Sequence, residues 1–97
     1  MYEIGQQIKT QPINGLQVRK PVKSEHMELL SITLEKGTVL PEHTSPRDAI
    51  LVVLEGALDF FIKGKTFSLA QFEDFSFPKE TVHSVEARED CRFLIIR

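Results

Sequence analysis

Short apolar segments alternate along the chain with glycine, proline and polar residues, at intervals of about eight to twelve positions. This spacing is typical of an antiparallel β-sandwich or barrel, and no segment has the apolar periodicity of a long helix. A chain of 97 residues has room for one modest core. We therefore predict a single all-β domain, with strands at residues 16–22, 26–35, 49–54, 57–63, 65–69, 72–77, 82–88 and 91–97.

Two apolar patterns occur among the predicted strands. Leu30, Ile32 and Leu34 alternate with polar residues, which is typical of a strand with one face in the core. Residues 50–54 and 93–96 are instead continuous apolar runs. Such runs indicate strands covered on both faces or lying at a subunit contact, so we expect a homodimer.

The N-terminal part of the chain has a weaker pattern. Residues 10–15 contain Pro12, Asn14 and Gly15, which favour a loop. We predict that residues 1–15 form an arm and that residues 16–97 form the body of the domain. The sequence leaves open whether residues 2–8 are a strand or a loose tail.

Composition and charge exclude several classes of partner. Twelve basic and fourteen acidic residues give a net charge of -2 without any block of like charge, so we expect no nucleic-acid partner. No apolar run approaches the roughly 18 residues that span a bilayer, and no secretory signal is recognised, so we expect a cytoplasmic protein without a membrane partner. Cys91 is the single cysteine, which excludes an intramolecular disulfide and a cysteine-based zinc cage.

Two of the three histidines fall at positions that alternation places with apolar residues. If residues 39–45 are extended, His43 shares a face with Val39. In the same way His83 shares a face with Val85. Each imidazole could be a buried ring bonded to a backbone carbonyl, but two on inward faces favour a shared site.

The segments around these histidines resemble the two sequence motifs of the cupin superfamily. The first motif reads G-x5-H-x-H-x3-4-E-x6-G, and the second reads G-x5-P-x-G-x2-H-x3-N. Residues 37–56 align with the first and residues 72–87 with the second. The positions that match are Gly37, His43, Gly56, Pro78 and His83.

This resemblance implies a small antiparallel barrel of the jelly-roll, RmlC-like type, with His43 and His83 projecting into one cavity. In metal-bearing cupins, two histidines and a glutamate of the first motif join the histidine of the second around iron, manganese, nickel or zinc. Here Ser45 and Ala49 occupy the positions of the second histidine and the glutamate. The resemblance therefore implies a degenerate metal site, with no cofactor or a weakly held divalent metal at His43 and His83.

Three specific functions are compatible with these residues, and a structural or regulatory role, as a sensor or partner-binding module, also remains open. The sequence leaves open whether the protein is an enzyme. The first is binding of a small molecule in the cavity by His43, Ser45 and His83. The alternative is a metal-dependent dioxygenase or isomerase, in which a bulge near Pro46 turns Asp48 inward to join both histidines. The third is metal-free acid–base catalysis, as in the sugar epimerases of the superfamily.

Overall fold

The computed structural model describes residues 2–97, which form nine β-strands. They are β1 (Leu16–Lys23), β2 (Glu28–Leu34), β3 (Val39–His43), β4 (Ala49–Glu55), β5 (Ala57–Ile62), β6 (Lys65–Ala70), β7 (Asp74–Phe77), β8 (His83–Ala87) and β9 (Cys91–Ile96). No helix within residues 2–97 has the length and apolar character needed to cross a membrane. The predicted all-β fold class is confirmed.

The strands form two antiparallel sheets that enclose a common core. The strand order is β1-β2-β9-β4-β7 in one sheet and β3-β8-β5-β6 in the other. The pairings of β2 with β9 and of β3 with β8 join segments that are distant in the chain. This is the double-sheet arrangement of a jelly roll, so the predicted architecture is also confirmed.

Alternating burial explains how these segments pack. In β4 and β9 every second residue is buried, and the residues between them are half-buried on the outer face. The buried residues of both sheets form one apolar cluster, whose fully enclosed members include Leu34, Leu51, Leu58, Phe60 and Phe93. Each large apolar side chain buried in this way contributes roughly 1.5–3 kcal/mol to folding, which makes this cluster the main source of stability.

Strand β3 is absent from the sequence prediction. It is an edge strand that pairs only with β8, so the missing N–H of Pro41 is tolerated there. Its register shifts between Leu40 and His43, and this bulge changes which residues face inward. Val39 is 48% exposed, whereas Leu40 packs against the core. The predicted common face of Val39 and His43 is therefore wrong.

The N-terminal arm is anchored to the outer face of β2. Residues 2–8 form no strand, but the side chain of Gln11 is buried. Gln11 Nε2 donates to the carbonyl oxygen of Ser31 (2.9 Å), and Ser31 Oγ donates back to Gln11 Oε1 (2.6 Å). Thr33 Oγ1 donates to the carbonyl oxygen of Pro12 (2.6 Å). These bonds satisfy two polar residues of β2 that the arm covers.

Gly56 forms the tight connection between β4 and β5. Its φ is 79°, in the left-handed region that favours glycine. A Cβ built there would collide with the backbone carbonyl oxygen of Asp90. Gly64, in the next turn, has a similar φ of 71°, but a Cβ there would meet nothing within 4 Å. Comparing substitutions at the two glycines therefore distinguishes the cost of a left-handed backbone from the cost of a steric collision.

We expect Gly56→Ala to lower the free energy of unfolding by more than about 2 kcal/mol, since roughly 1–2 kcal/mol of left-handed strain adds to the collision. Gly64→Ala should cost only the strain. Urea denaturation followed by circular dichroism measures both. Equal losses for the two variants would contradict the close approach of residues 56 and 90.

Candidate functional site

His43 and His83 lie opposite each other on neighbouring strands. They are register partners in the pairing of β3 with β8. Their ring centroids are 4.2 Å apart, and the ring planes meet at 62°. The structure thus brings together the two histidines that the sequence motifs single out.

Each imidazole is fixed by its own backbone. His43 Nδ1 donates to the carbonyl oxygen of Pro41 (2.8 Å), and His83 Nδ1 donates to that of Thr81 (2.9 Å). A carbonyl oxygen only accepts hydrogen bonds, so Nδ1 carries the proton in both rings. In the neutral imidazole Nε2 is then a free acceptor.

Aromatic side chains enclose His83. The residue is only 2% exposed. Its ring stacks on Phe60, with centroids 5.2 Å apart and planes at 12°, and packs against Phe77 at 4.6 Å. The orientation of the imidazole is therefore set by packing as well as by its hydrogen bond.

The surroundings of His83 favour its neutral form. Burial lowers the pKa of His83, because a charged imidazole is poorly solvated among aromatic rings. The hydrogen bond to Thr81 opposes this shift, while the nearby His43 and Arg97 reinforce it. His83 is consequently neutral near pH 7.

A cavity of about 220 Å³ adjoins the two imidazoles. Its polar wall consists of His43, Thr44, Ser45, His83 and Arg97. Its apolar wall consists of Val18, Leu30, Ile32, Leu40, Pro46, Phe77 and Ile95. An apolar pocket with a few converging polar groups is the usual form of a small-molecule site. A larger depression of about 460 Å³ lies on the outer surface, at Asp48, Ile50 and Ile96, and no imidazole lines it.

Ser45 lies in the wall of this cavity but is largely committed to the loop that holds it. Its Oγ donates to the carbonyl oxygen of Arg47 (2.7 Å), and its own carbonyl accepts from the N–H of Glu80 (2.8 Å). Its Oγ also accepts from the N–H of Arg47 and from Arg97 Nη1, both at 3.4 Å, so the proton and both lone pairs of the hydroxyl have partners within the protein. The residue is placed at the predicted site, with a role that is chiefly structural.

Arg97, in the wall of the cavity, forms an ion pair with Glu28 that the sequence pattern did not predict. Arg97 Nε donates to Glu28 Oε1 (2.8 Å), and Arg97 Nη1 lies 3.4 Å from Ser45 Oγ. The hydrogen bond from Arg97 lowers the pKa of Glu28; burial opposes the shift, and the charges of Arg97, Lys20 and Lys23 add to it. A guanidinium group thus lies beside the two imidazoles.

A sequence signal for this pair exists. Arg97 continues the period-two phase of the buried Ile95, and Glu28 precedes the buried Leu30 in the same phase. Both charged residues therefore fall on inward positions of predicted strands. Their contact depends on the pairing of β2 with β9, which the sequence alone does not specify.

Comparison with known proteins identifies the family. The Cupin_2 family model, a cupin domain, matches residues 30–97, which include both histidines and the whole of the site except Val18 and Glu28. The chain belongs to the cupin family.

Several solved protein structures have the same fold. An RmlC-like cupin from Desulfovibrio desulfuricans is 22% identical, with 99% of this chain and 95% of that chain covered and a TM-score of 0.86. KdgF from Halomonas sp. is 24% identical over 89% and 81%, with a TM-score of 0.78. The SPY1581 protein of unknown function from Streptococcus pyogenes is 25% identical over 84% and 71%, with a TM-score of 0.77. No curated protein sequence matches the chain.

The donor groups of this cupin do not fit a tightly held metal ion. Catalytic metal sites generally use at least three protein ligands. Within residues 2–97 no group of three histidine, cysteine, aspartate or glutamate side chains is placed to hold a metal. Asp48 is exposed, and its Oδ1 accepts from the N–H of Lys79 (2.9 Å). The structure therefore does not bring Asp48 to His43 and His83.

The lowered pKa of His83 makes stability depend on pH. Its ordinary pKa is 6.5, and the folded value is lower, so the unfolded chain takes up the proton first. We expect the free energy of unfolding to fall as the pH drops below 6.5, by at most about 1.4 kcal/mol per pH unit. Urea titrations at several pH values between 7.5 and about 5.5 measure this slope.

His83→Phe should flatten this dependence, because phenylalanine can stack on Phe60 without titrating. His26 is exposed, so His26→Gln is the matched control and should retain the slope. If the free energy of unfolding depends on pH as steeply in His83→Phe as in the wild type, another titratable group causes this dependence. Glu28 does not affect the slope between pH 7.5 and about 5.5, because its contribution to the free energy of unfolding is lost only below its ordinary pKa of 4.5.

Proposed function

We propose that this cupin binds a small molecule in the cavity beside His43 and His83, without a catalytic metal. The observation that carries the proposal is the convergence of two imidazoles, 4.2 Å apart, on a cavity whose remaining walls are mostly apolar. Both rings are held by backbone hydrogen bonds, so their Nε2 atoms are available before a ligand arrives. Such preorganisation lowers the cost of binding.

The volume of the cavity limits the size of the ligand. About 220 Å³ is the space of about seven liquid water molecules, at about 30 Å³ each. Typical drug-sized sites span about 300–1,000 Å³. The ligand we propose is therefore smaller than a nucleotide sugar, which disfavours the epimerase hypothesis.

The position of Asp48 weakens the metalloenzyme alternative. That hypothesis requires an inward carboxylate as third ligand, and the carboxylate of Asp48 is bonded to the backbone of Lys79 instead. Ser45 has a hydroxyl whose proton is already donated to Arg47. The proposal of ligand binding requires neither residue to move.

Two measurements on one untagged sample test the proposal. Elemental analysis should find well under one iron, manganese, nickel or zinc per chain, and the same amount in His43→Ala. An NMR screen of ¹⁵N-labelled protein against small polar fragments should find ligands that shift cavity resonances. One tightly held metal per chain, lost in His43→Ala, would contradict the proposal.

The NMR screen has a matched pair of variants. His43→Phe removes one cavity imidazole and should weaken binding of the fragments found with the wild type. His26→Gln changes an exposed histidine and should bind them unchanged. Fragments that bind His43→Phe as well as the wild type would place the binding site elsewhere on the surface.

We also propose that two copies associate through the outer face of the five-stranded sheet. Five apolar residues of β4 and β9 lie side by side on that face and are half-buried: Ile50, Val52, Leu54, Leu94 and Ile96. The N-terminal arm covers the neighbouring part of the face at β2 and reaches β9 at Arg92, whose Nη1 donates to the carbonyl oxygen of Ile8. A two-fold axis would bring the patch of one copy against the same patch of the other.

Equilibrium sedimentation tests this dimer. We expect particles of twice the 11.1 kDa chain mass at micromolar concentration, and a shift to single chains in Val52→Glu. Phe61→Glu places the same charge on the outer face of the other sheet and should leave the dimer intact. A wild type that sediments only as single chains would overturn the proposal.

A further inference from the structure

One positive charge is built into the wall of the cavity. Arg97 is part of that wall, and its side chain is only 18% exposed. Its partner Glu28 does not line the cavity, and Glu28 Oε2 also lies 3.8 Å from Lys20 Nζ. The charge of Glu28 is thus shared between two cations, and this end of the barrel keeps an excess of positive charge. A carboxylate group is the natural complement to a guanidinium in such a place.

The imidazoles present hydrogen-bond acceptors, whereas the guanidinium of Arg97 presents donors. Since Nδ1 donates to a backbone carbonyl in both rings, the two Nε2 atoms are hydrogen-bond acceptors. His83 is only 2% exposed, and Nε2 has no hydrogen-bond partner among residues 2–97. In this part of the chain no fully buried side-chain nitrogen or oxygen lacks a partner, so His83 Nε2 is not fully buried, and His83 lines the cavity. This nitrogen is an acceptor available to a donor of the ligand.

These two features together specify the ligand more narrowly than either alone. A simple carboxylate would satisfy Arg97 but leave the Nε2 lone pairs unpaired or facing its oxygens. A simple alcohol would satisfy Nε2 but leave the guanidinium without an anion. We propose that the cavity binds a short-chain hydroxycarboxylate, with its carboxylate on Arg97 and its hydroxyl donating to Nε2 of His43 or His83. This inference rests on the small-molecule function proposed above and assigns its ligand class.

Three matched three-carbon probes test the inference by calorimetry or NMR titration at pH 7.5. Glycerate has the carboxylate and hydroxyls, propionate lacks the hydroxyls, and glycerol lacks the carboxylate. We expect glycerate to bind at least about tenfold more tightly than glycerol, since a hydrogen bond to a charged group is worth about 1.5–3 kcal/mol. Propionate should bind about two- to tenfold more weakly than glycerate, since it lacks the hydrogen bond from a neutral hydroxyl to a neutral Nε2. Equal binding of propionate and glycerate would overturn the role of Nε2, and no binding of glycerate would overturn the ligand class.

Variants of Arg97 test the anion contact. Arg97→Gln should weaken glycerate binding at least about tenfold and leave glycerol binding unchanged. Arg97→Lys, which keeps the charge, should retain part of the affinity, and circular dichroism checks that each variant is folded. Arg88 is a surface arginine with a 54% exposed side chain, so Arg88→Gln is the matched control. Unchanged glycerate binding in folded Arg97→Gln would overturn the assignment of the carboxylate.

The outcomes also separate this inference from the proposed function. If uncharged fragments bind the cavity while glycerate does not, the ligand class is wrong and the binding function stands. If no fragment of any charge binds the wild-type cavity, the binding function itself is wrong.

Discussion

The pairing of β3 with β8 is the constraint on which the site depends. It places His43 opposite His83, although the two residues are forty positions apart in the chain. Side chains alternate between the faces of a strand, so a slip of one residue would turn His43 away from its partner. The facing pair of Leu40 and the fully buried Val85 resists such a slip, because it would expose apolar surface. The hydrophobic core thereby fixes the geometry of the polar site.

The ion pair of Arg97 and Glu28 is harder to explain by stability alone. The two side chains are partly buried, 18% and 15% exposed, and withdrawing charges from water costs desolvation energy. Replacing a fully buried pair by apolar residues is often neutral or stabilising. The next inward positions of β2 and β9, Leu30 and Ile95, are apolar and buried in the core. Under the binding function proposed above, Arg97 in the cavity wall has a role in recognition that folding alone does not require. Glu28 accepts a hydrogen bond from Nε of Arg97. This bond orients the guanidinium without using all of its N–H donors.

Sequence pattern predicted the fold well because the core follows period-two alternation in most strands. Eight of the nine strands fall within or beside predicted segments, with ends that differ by a few residues. The exception, β3, contains Pro41 and a bulge, which break the alternation on which the prediction depends. The same bulge reverses the predicted face of Val39. The histidine pair was found from motif spacing, whereas the contact of Arg97 with Glu28 requires knowledge of strand pairing.

The chain departs from the cupin motifs at turn glycines and at metal ligands. The backbone conformation is retained at the turns, whereas the metal-binding side chains are lost. Phe72 and Glu80 occupy motif positions of glycine, yet both keep a positive φ, 69° and 59°, at a cost of roughly 1–2 kcal/mol each. Long-range strand pairing therefore holds the barrel shape without the residues that favour its turns. Strand pairing does not require the metal-ligating side chains of the motif, and Ser45 and Ala49 occupy two of their positions. A bound divalent cation is often the largest charge in a site. In this chain the guanidinium of Arg97 supplies positive charge to the same cavity, which is what the proposed recognition of an anionic ligand without a metal requires.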